Sequence, residues 1–312
     1  MQRNPTMDIP PMLVPYARRI ALRDLELFYY DTGAAQAPTL LLIHGLGDEA
    51  DTWRSIIPSL AQRYRVIAPD LPGFGRSSGP KSGYSLTFFA RAMAEFMAAL
   101  GLQQVTLVGH SLGAMIAQRL SIGLPQLIQQ QILISGCLPI KHQFPRRRLW
   151  LLLLPGVGEL MLAGMQCSHE LAFQSLRPFY FNLYELPARE QRFLRRRVWA
   201  RLCQARQRRA TLSALRWLAV DALFRADQYL DLVSECPTPT ILMAGDHDMI
   251  VAGECIEATE VVLAGRGQYI HLESCGHMPQ QECPALIVEL IAELVPAGCD
   301  GESDWHNEHS DG

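Results

Sequence analysis

The residues of this 312-residue chain with the clearest chemical potential are Ser111, Asp248 and His277. Ser111 lies in Gly109-His110-Ser111-Leu112-Gly113, between the apolar run Val105 to Val108 and the helix-like segment Ala114 to Leu120. A strand that turns straight into a helix strains the residue at the corner, and flanking glycines remove the Cβ atoms that would block so sharp a bend. The Ser111 hydroxyl would then project into a cleft. A serine hydroxyl is a poor nucleophile at neutral pH, so it needs a base to take its proton and a carboxylate to orient that base. Downstream, Pro239 to Ala244 reads as a buried strand ending in Gly245-Asp246-His247-Asp248, and Tyr269 to Leu272 as a short strand running into Cys275-Gly276-His277-Met278-Pro279. A serine, then an acid, then a histidine at successive strand ends would supply the parts of an acyl-transfer site.

The elements that must position these residues alternate along the chain. Ile20 to Tyr30 suggests a hairpin-like antiparallel start, followed by buried strands at Thr39 to Ile43, Arg65 to Ala68, Val105 to Val108, Gln131 to Ser135, Thr240 to Ala244 and Gln268 to Leu272. Short Val, Ile and Leu runs between polar turns are what a parallel sheet covered on both faces requires. Between Thr87 and Gly101, Phe89, Ala92, Met93, Phe96, Met97 and Leu100 recur at helical spacing, which predicts a helix packed on the sheet with Thr87 as N-cap and Gly101 as stop.

Taken together, these motifs resemble the α/β-hydrolase superfamily over residues from about 19 to 296. Two further segments agree with the resemblance. His44-Gly45-Leu46-Gly47 looks like the family's oxyanion loop, and Asp70-Leu71-Pro72-Gly73-Phe74-Gly75-Arg76-Ser77 like its turn after the fourth strand. The resemblance implies a mostly parallel eight-stranded sheet flanked by helices, with a helical lid inserted after the sixth strand. It implies Ser111 as nucleophile, His277 as base and Asp248 as acid, with Asp246 as the competitor two residues away. The backbone N–H groups of Leu46 and Leu112 would form the oxyanion hole. No metal or organic cofactor is called for. His44 is expected to buttress its loop, His110 to support the elbow, His247 to sit on a surface turn and His271 to be a satisfied strand histidine. Trp53 and Met115 are candidate substrate-binding residues, each with core packing as the alternative.

Composition sets the remaining expectations. An apolar content of 49% in 312 residues fills one large domain with an inserted lid. The formal net charge of -3 gives no case for nucleic acid, and eight cysteines without metal spacing read as reduced thiols. The start lacks a basic region followed by an apolar core, so no signal peptide is expected and the cytoplasm is the default. Residues 1–18 read as an irregular N-terminal segment, 19–137 and 236–297 as the core, 138–235 as the lid and 298–312 as a disordered acidic tail.

The lid is basic, with sixteen Lys and Arg against eight Asp and Glu. In Arg192 to Arg209, Leu194, Val198 and Leu202 line one face, which predicts that the arginines occupy a solvated one; attraction of acidic substrates or an anionic membrane is the alternative. Arg146-Arg147-Arg148 precedes the apolar Leu149 to Leu154 and, after a Pro-Gly break, Leu160 to Ala163. This stretch is too short and broken to span a bilayer, which takes ~20 apolar residues. It reads as a helix roofing the cleft, or else as a patch resting on lipid.

The leading expectation is hydrolysis of a carboxylic ester carrying a lipophilic group. A carbon-carbon bond hydrolase, a cofactor-free haloperoxidase, an acyltransferase and a non-catalytic ligand-binding sensor are the alternatives that the same fold hosts. Serine at 111 demotes the dehalogenase and epoxide-hydrolase branches, for which the resemblance would place an aspartate there.

Overall fold

The computed structural model describes residues 8–138 and 150–296. A 3-10 helix at Pro11–Tyr16 leads into strands β1 (Ala17–Ala21), β2 (Glu26–Asp31), β3 (Thr39–Ile43), β4 (Arg65–Pro69), β5 (Val105–His110), β6 (Ile128–Ile134), β7 (Thr240–Gly245) and β8 (Gly267–Leu272). They form one eight-stranded sheet in the order β1-β2-β4-β3-β5-β6-β7-β8. β1 and β2 pair antiparallel, β2 pairs antiparallel with β4, and the rest of the sheet is parallel. The expected strands are all present. The hairpin begins at Ala17, and Leu13 in the preceding 3-10 helix is fully buried, so the segment expected to be irregular is ordered from residue 11 onward.

Helices cover both faces, as a sheet of buried apolar strands demands. α1 (Ile57–Leu60) and α12 (Pro284–Leu294) pack with Leu40, Leu42, Val66 and Val108 on one side. α2 (Leu86–Ala99) and α3 (Leu112–Gly123) pack with Leu41, Ile43, Leu107 and Leu133 on the other. The predicted apolar stripe of α2 is the buried one, but its N-cap is Ser85, whose side chain accepts from the Phe88 N–H, and not Thr87. Thr87 is already inside the first turn, where its hydroxyl has no free N–H ahead of it to cap. Gly101 ends the segment with φ +62.

Between β6 and β7 the described residues are helical: α4 (Trp150–Leu153), α5 (Val157–Met165), α6 (His169–Gln174), α7 (Ala188–Cys203), α8 (Ala205–Phe224) and α9 (Ala226–Ser234). α10 (Gly253–Val262) follows β7, and the short α11 (Pro279–Glu282) follows β8. Residues 139–149, including Arg146, Arg147, Arg148 and Leu149, and the tail 298–312 lie outside the described residues. Among the described residues no helix is long and apolar enough to cross a membrane.

β5 enters α3 with almost no spacing. A Cβ on Gly113 would stand 2.0 Å from the Ile43 carbonyl oxygen and 2.8 Å from that of His44, so only glycine lets α3 lie this close to the end of β3. Both obstacles are backbone and cannot rotate away. Gly113→Ala is therefore expected to cost about 3 kcal/mol or more of stability, read as a fall in the urea midpoint at unchanged m-value.

Candidate active site

Ser111 occupies the corner between β5 and α3 with φ +53 and ψ -115, a conformation that costs a non-glycine residue about 1–3 kcal/mol. Its neighbours hold it there. The Ser111 N–H donates to the Ile134 carbonyl at 2.9 Å, and its own carbonyl accepts from Ala114 and Met115. Gly109 and Gly136 leave room at the corner, since a Cβ on either would press into backbone of α3 or of Ser111. Leu112 is the first residue of α3, so its N–H has no intrahelical acceptor and stands at the positive end of the helix dipole.

The acid and base lie on two interlocked loops. Asp246 N–H donates to the Leu272 carbonyl and His247 N–H to that of Cys275, while Gly245 abuts the Cys275 carbonyl so closely that a Cβ would stand 2.1 Å from it. Within this frame the His277 Nδ1–H donates to Asp248 Oδ2 at 2.8 Å, and both side chains are only 2% exposed. Asp248 also accepts at Oδ1 from the N–H groups of Ile250 and Val251. Burial pushes the Asp248 carboxyl up, but the His277 imidazole and these hydrogen bonds outweigh it, and the group is held below its ordinary value. Asp246 faces the other way, with its side chain 41% exposed and Oδ1 accepting from the Cys275 N–H.

The other histidines divide as the chemistry of two-nitrogen rings allows. His44 Nε2 accepts from the Leu71 N–H at 2.9 Å, so Nδ1 carries the proton and donates to the Gly45 carbonyl at 2.8 Å. That bridge fixes the loop of Leu46 to the turn beginning at Asp70. His110 Nε2 donates to the His277 carbonyl at 2.7 Å, its ring lying 5.0 Å from the His277 ring between centroids. Burial, then the neighbouring His277, pulls the His110 pKa down to about 3. His247 is exposed and stacks on Phe181, and His271 is exposed against Tyr269 on the edge strand β8, not buried as a satisfied core group.

One sequence expectation for a substrate contact is corrected. Trp53 is fully buried and packs edge-on against His110 at 6.5 Å, the core-packing alternative. Met115, on the first turn of α3, is half-buried against the core. Leu46 is half-buried against the same core, next to Gly47 at φ +72. Thr211 of α8 lies 3.6 Å from where a Gly47 Cβ would stand, so the insertion covers the loop.

The arginines of α7 do not form one solvated face. Leu194, Arg197, Val198 and Arg201 recur at i, i+3, i+4 and i+7, and this stripe faces inward, while Arg192 and Arg196 face solvent. Arg197 pairs with Glu49 at 2.9 Å and with Asp51, and Arg201 pairs with Asp48. Asp51 is held from its other side by Arg76 at 2.6 Å and by the Tyr30 hydroxyl at 2.5 Å; Arg76 also reaches Asp70 at 3.1 Å. Burial opposes charge on Asp51, but Arg76 and Arg197 outweigh it and its carboxyl is lowered. Glu49, desolvated and crowded by Asp51, is raised. Glu282 was also missed from the sequence. It accepts from the N–H groups of Phe181 at 2.7 Å and Gly276 at 2.9 Å, tying the insertion to the loop of His277, and the Phe179 carbonyl accepts the His277 N–H itself. Among the described residues no group of three or more His, Cys, Asp or Glu side chains could hold a metal ion.

The α/β-hydrolase fold family matches residues 38–282, and the chain belongs to that family. An uncharacterized protein of Mycobacterium tuberculosis is 44% identical over 103 residues, which is 33% of this chain and 30% of that protein. The pimeloyl-[acyl-carrier protein] methyl ester esterase of Aeromonas hydrophila is 39% identical over 132 residues, 41% of this chain and 46% of the esterase. The matched part thus spans less than half the length of either relative. Among solved structures, a bacterial membrane phospholipase A aligns with TM-score 0.68 and 26% identity, covering 89% of this chain and 84% of that one.

Two expectations follow from these geometries. Arg197→Gln leaves Asp51 with one cationic partner and Glu49 with none; protonation of Glu49 offsets part of the loss, so a destabilisation of about 3 kcal/mol is expected, at the low end for a broken buried pair. Arg192→Gln, on the solvated face, should change stability by less than about 0.5 kcal/mol in the same urea titration. The second concerns His110. Its folded pKa of about 3 lies below the unfolded value of about 6.5, so between these limits the unfolded state binds more protons and stability falls as pH falls. Relative to His110→Gln, the native chain should lose up to about 1.4 kcal/mol per pH unit below pH ~6.

Proposed function

We propose that the protein is a serine hydrolase that cleaves carboxylic esters through an acyl-enzyme intermediate, with Ser111, His277 and Asp248 as its triad. The observation that carries this reading is the buried 2.8 Å bond from His277 to Asp248, beside a serine held at positive φ on a strand-to-helix corner. Asp248 holds the Nδ1–H tautomer, leaving Nε2 free to take the Ser111 proton as the hydroxyl attacks the ester carbonyl. The oxyanion would be met by the N–H groups of Leu112 and Leu46, each donor worth ~3 kcal/mol in sites of this type. His277 then protonates the leaving alcohol and activates water for deacylation.

Proteins named as a methyl ester esterase and a phospholipase are among those similar to this chain, beside a carbamate hydrolase and a haloalkane dehalogenase, and the ester is the reading that asks least of the site. A lipophilic substrate and a cytoplasmic setting remain part of the proposal.

A fluorophosphonate should add once, on the Ser111 peptide, and p-nitrophenyl esters should be turned over with a preference for longer acyl chains. Labelling on a different serine, or full activity in Ser111→Ala, overturns the mechanism. Asp248→Asn should lower kcat by about three to four orders of magnitude, while Asp246→Asn retains most of it. The reverse ranking in two folded variants would move the acid to Asp246.

A further inference from the structure

The roof expected of Leu149 to Leu154 is not what the described part of that segment forms. Leu151 and Leu154 of the α4 region are half-exposed, and Leu160 on α5 is 75% exposed. Both helices pack on α8, where Arg216 donates to the carbonyls of Leu153 and Leu154 and pairs with Glu159 at 2.9 Å. α8 continues the apolar surface outward. Trp217, Val220 and Phe224 recur at i, i+3 and i+7 on one stripe of the helix, all exposed, with Phe224 at 78%. A soluble chain rarely leaves this many large apolar groups together on neighbouring elements without a partner.

Charge identifies the partner. Trp217 and Val220 line a shallow depression of about 360 Å³ together with Lys81, Arg209 and Arg216, against which Glu159 supplies one carboxylate. Apolar side chains, an indole at their border and a cluster of cations beside it are the composition of a surface that lies on an anionic bilayer, with the cations at headgroup level.

We infer that the α4, α5 and α8 face of the insertion docks the protein peripherally on anionic lipid membranes. The inference does not depend on ester chemistry at Ser111, and its test reads binding alone. In flotation at low salt, the full chain should associate with vesicles of equimolar phosphatidylcholine and phosphatidylglycerol, and more weakly with phosphatidylcholine alone. Lys81→Gln and Arg209→Gln should each reduce binding to the anionic vesicles by about fivefold and leave the neutral ones unchanged. Leu160→Glu with Phe224→Glu should reduce both at least about tenfold; Leu160→Ser with Phe224→Ser, equally exposed positions with a neutral replacement, should act in the same direction, with Tm checked for every variant. Absence of binding to any vesicle overturns the inference, as does binding that no variant weakens. A concentration-dependent dimer in sedimentation that Leu160→Glu dissolves, without vesicle binding, would instead make a second copy the occupant and overturn it equally.

Discussion

Asp51 is the point on which the molecule's separate parts converge. It follows the loop of Leu46 by a few residues, Arg76 reaches it from the turn after β4, and Arg197 reaches it from α7 of the insertion. Two cations shared by one buried carboxylate make a geometry that no single partner can leave cheaply, because removing any member strands a charge away from water. The raised Glu49 beside it fits the same logic: with Asp51 ionised, a second full negative charge in that space is resisted. A buried ionic cluster of this kind contributes little net stability over an apolar one of equal volume. Its effect is on register, since it ties the loop of Leu46, the Asp70 turn and α7 to one another.

A second layer of order comes from two buried histidines, both of whose pKa values burial lowers. His44 uses one donating and one accepting ring nitrogen, whereas buried His110 donates through Nε2 and its Nδ1 has no hydrogen-bond partner among the described residues. His44 spans from the loop of Leu46 to the turn of Asp70, and His110 reaches from β5 to the backbone of His277. The candidate nucleophile's neighbour thus fixes the candidate base through its main chain, leaving the His277 ring to answer to Asp248 alone.

Much of this was readable in the chain because it rests on local rules. Strand positions follow from runs of buried residues, and the corner at Ser111 from glycines whose Cβ atoms would strike backbone. The resemblance pointed to Asp248 and His277 after β7 and β8, and their side chains are hydrogen-bonded to each other. What stayed hidden was long-range pairing. Leu194, Val198 and Leu202 gave α7 an apolar stripe, and periodicity then assigned its arginines to water, yet the inward stripe contains Arg197 and Arg201. Their carboxylates lie some hundred and fifty positions earlier. One signal was present: a strongly basic insertion set against Asp48, Glu49 and Asp51, three acids crowded directly behind the loop of Leu46. Trp53 was misjudged for a related reason, because an indole near a cleft and an indole under it have the same spacing from Gly45.

The backbone of the insertion is itself part of the frame around His277. Phe179 contributes the carbonyl that receives the His277 N–H, Glu282 grips Phe181 and Gly276 together, and a Cβ on Gly276 would stand 2.5 Å from the Phe181 nitrogen. The insertion and the frame around the His277 imidazole are therefore one mechanical part. The insertion is not a mechanically independent module. Any replacement must bring its own carbonyl for the His277 N–H and its own tight approach at Gly276.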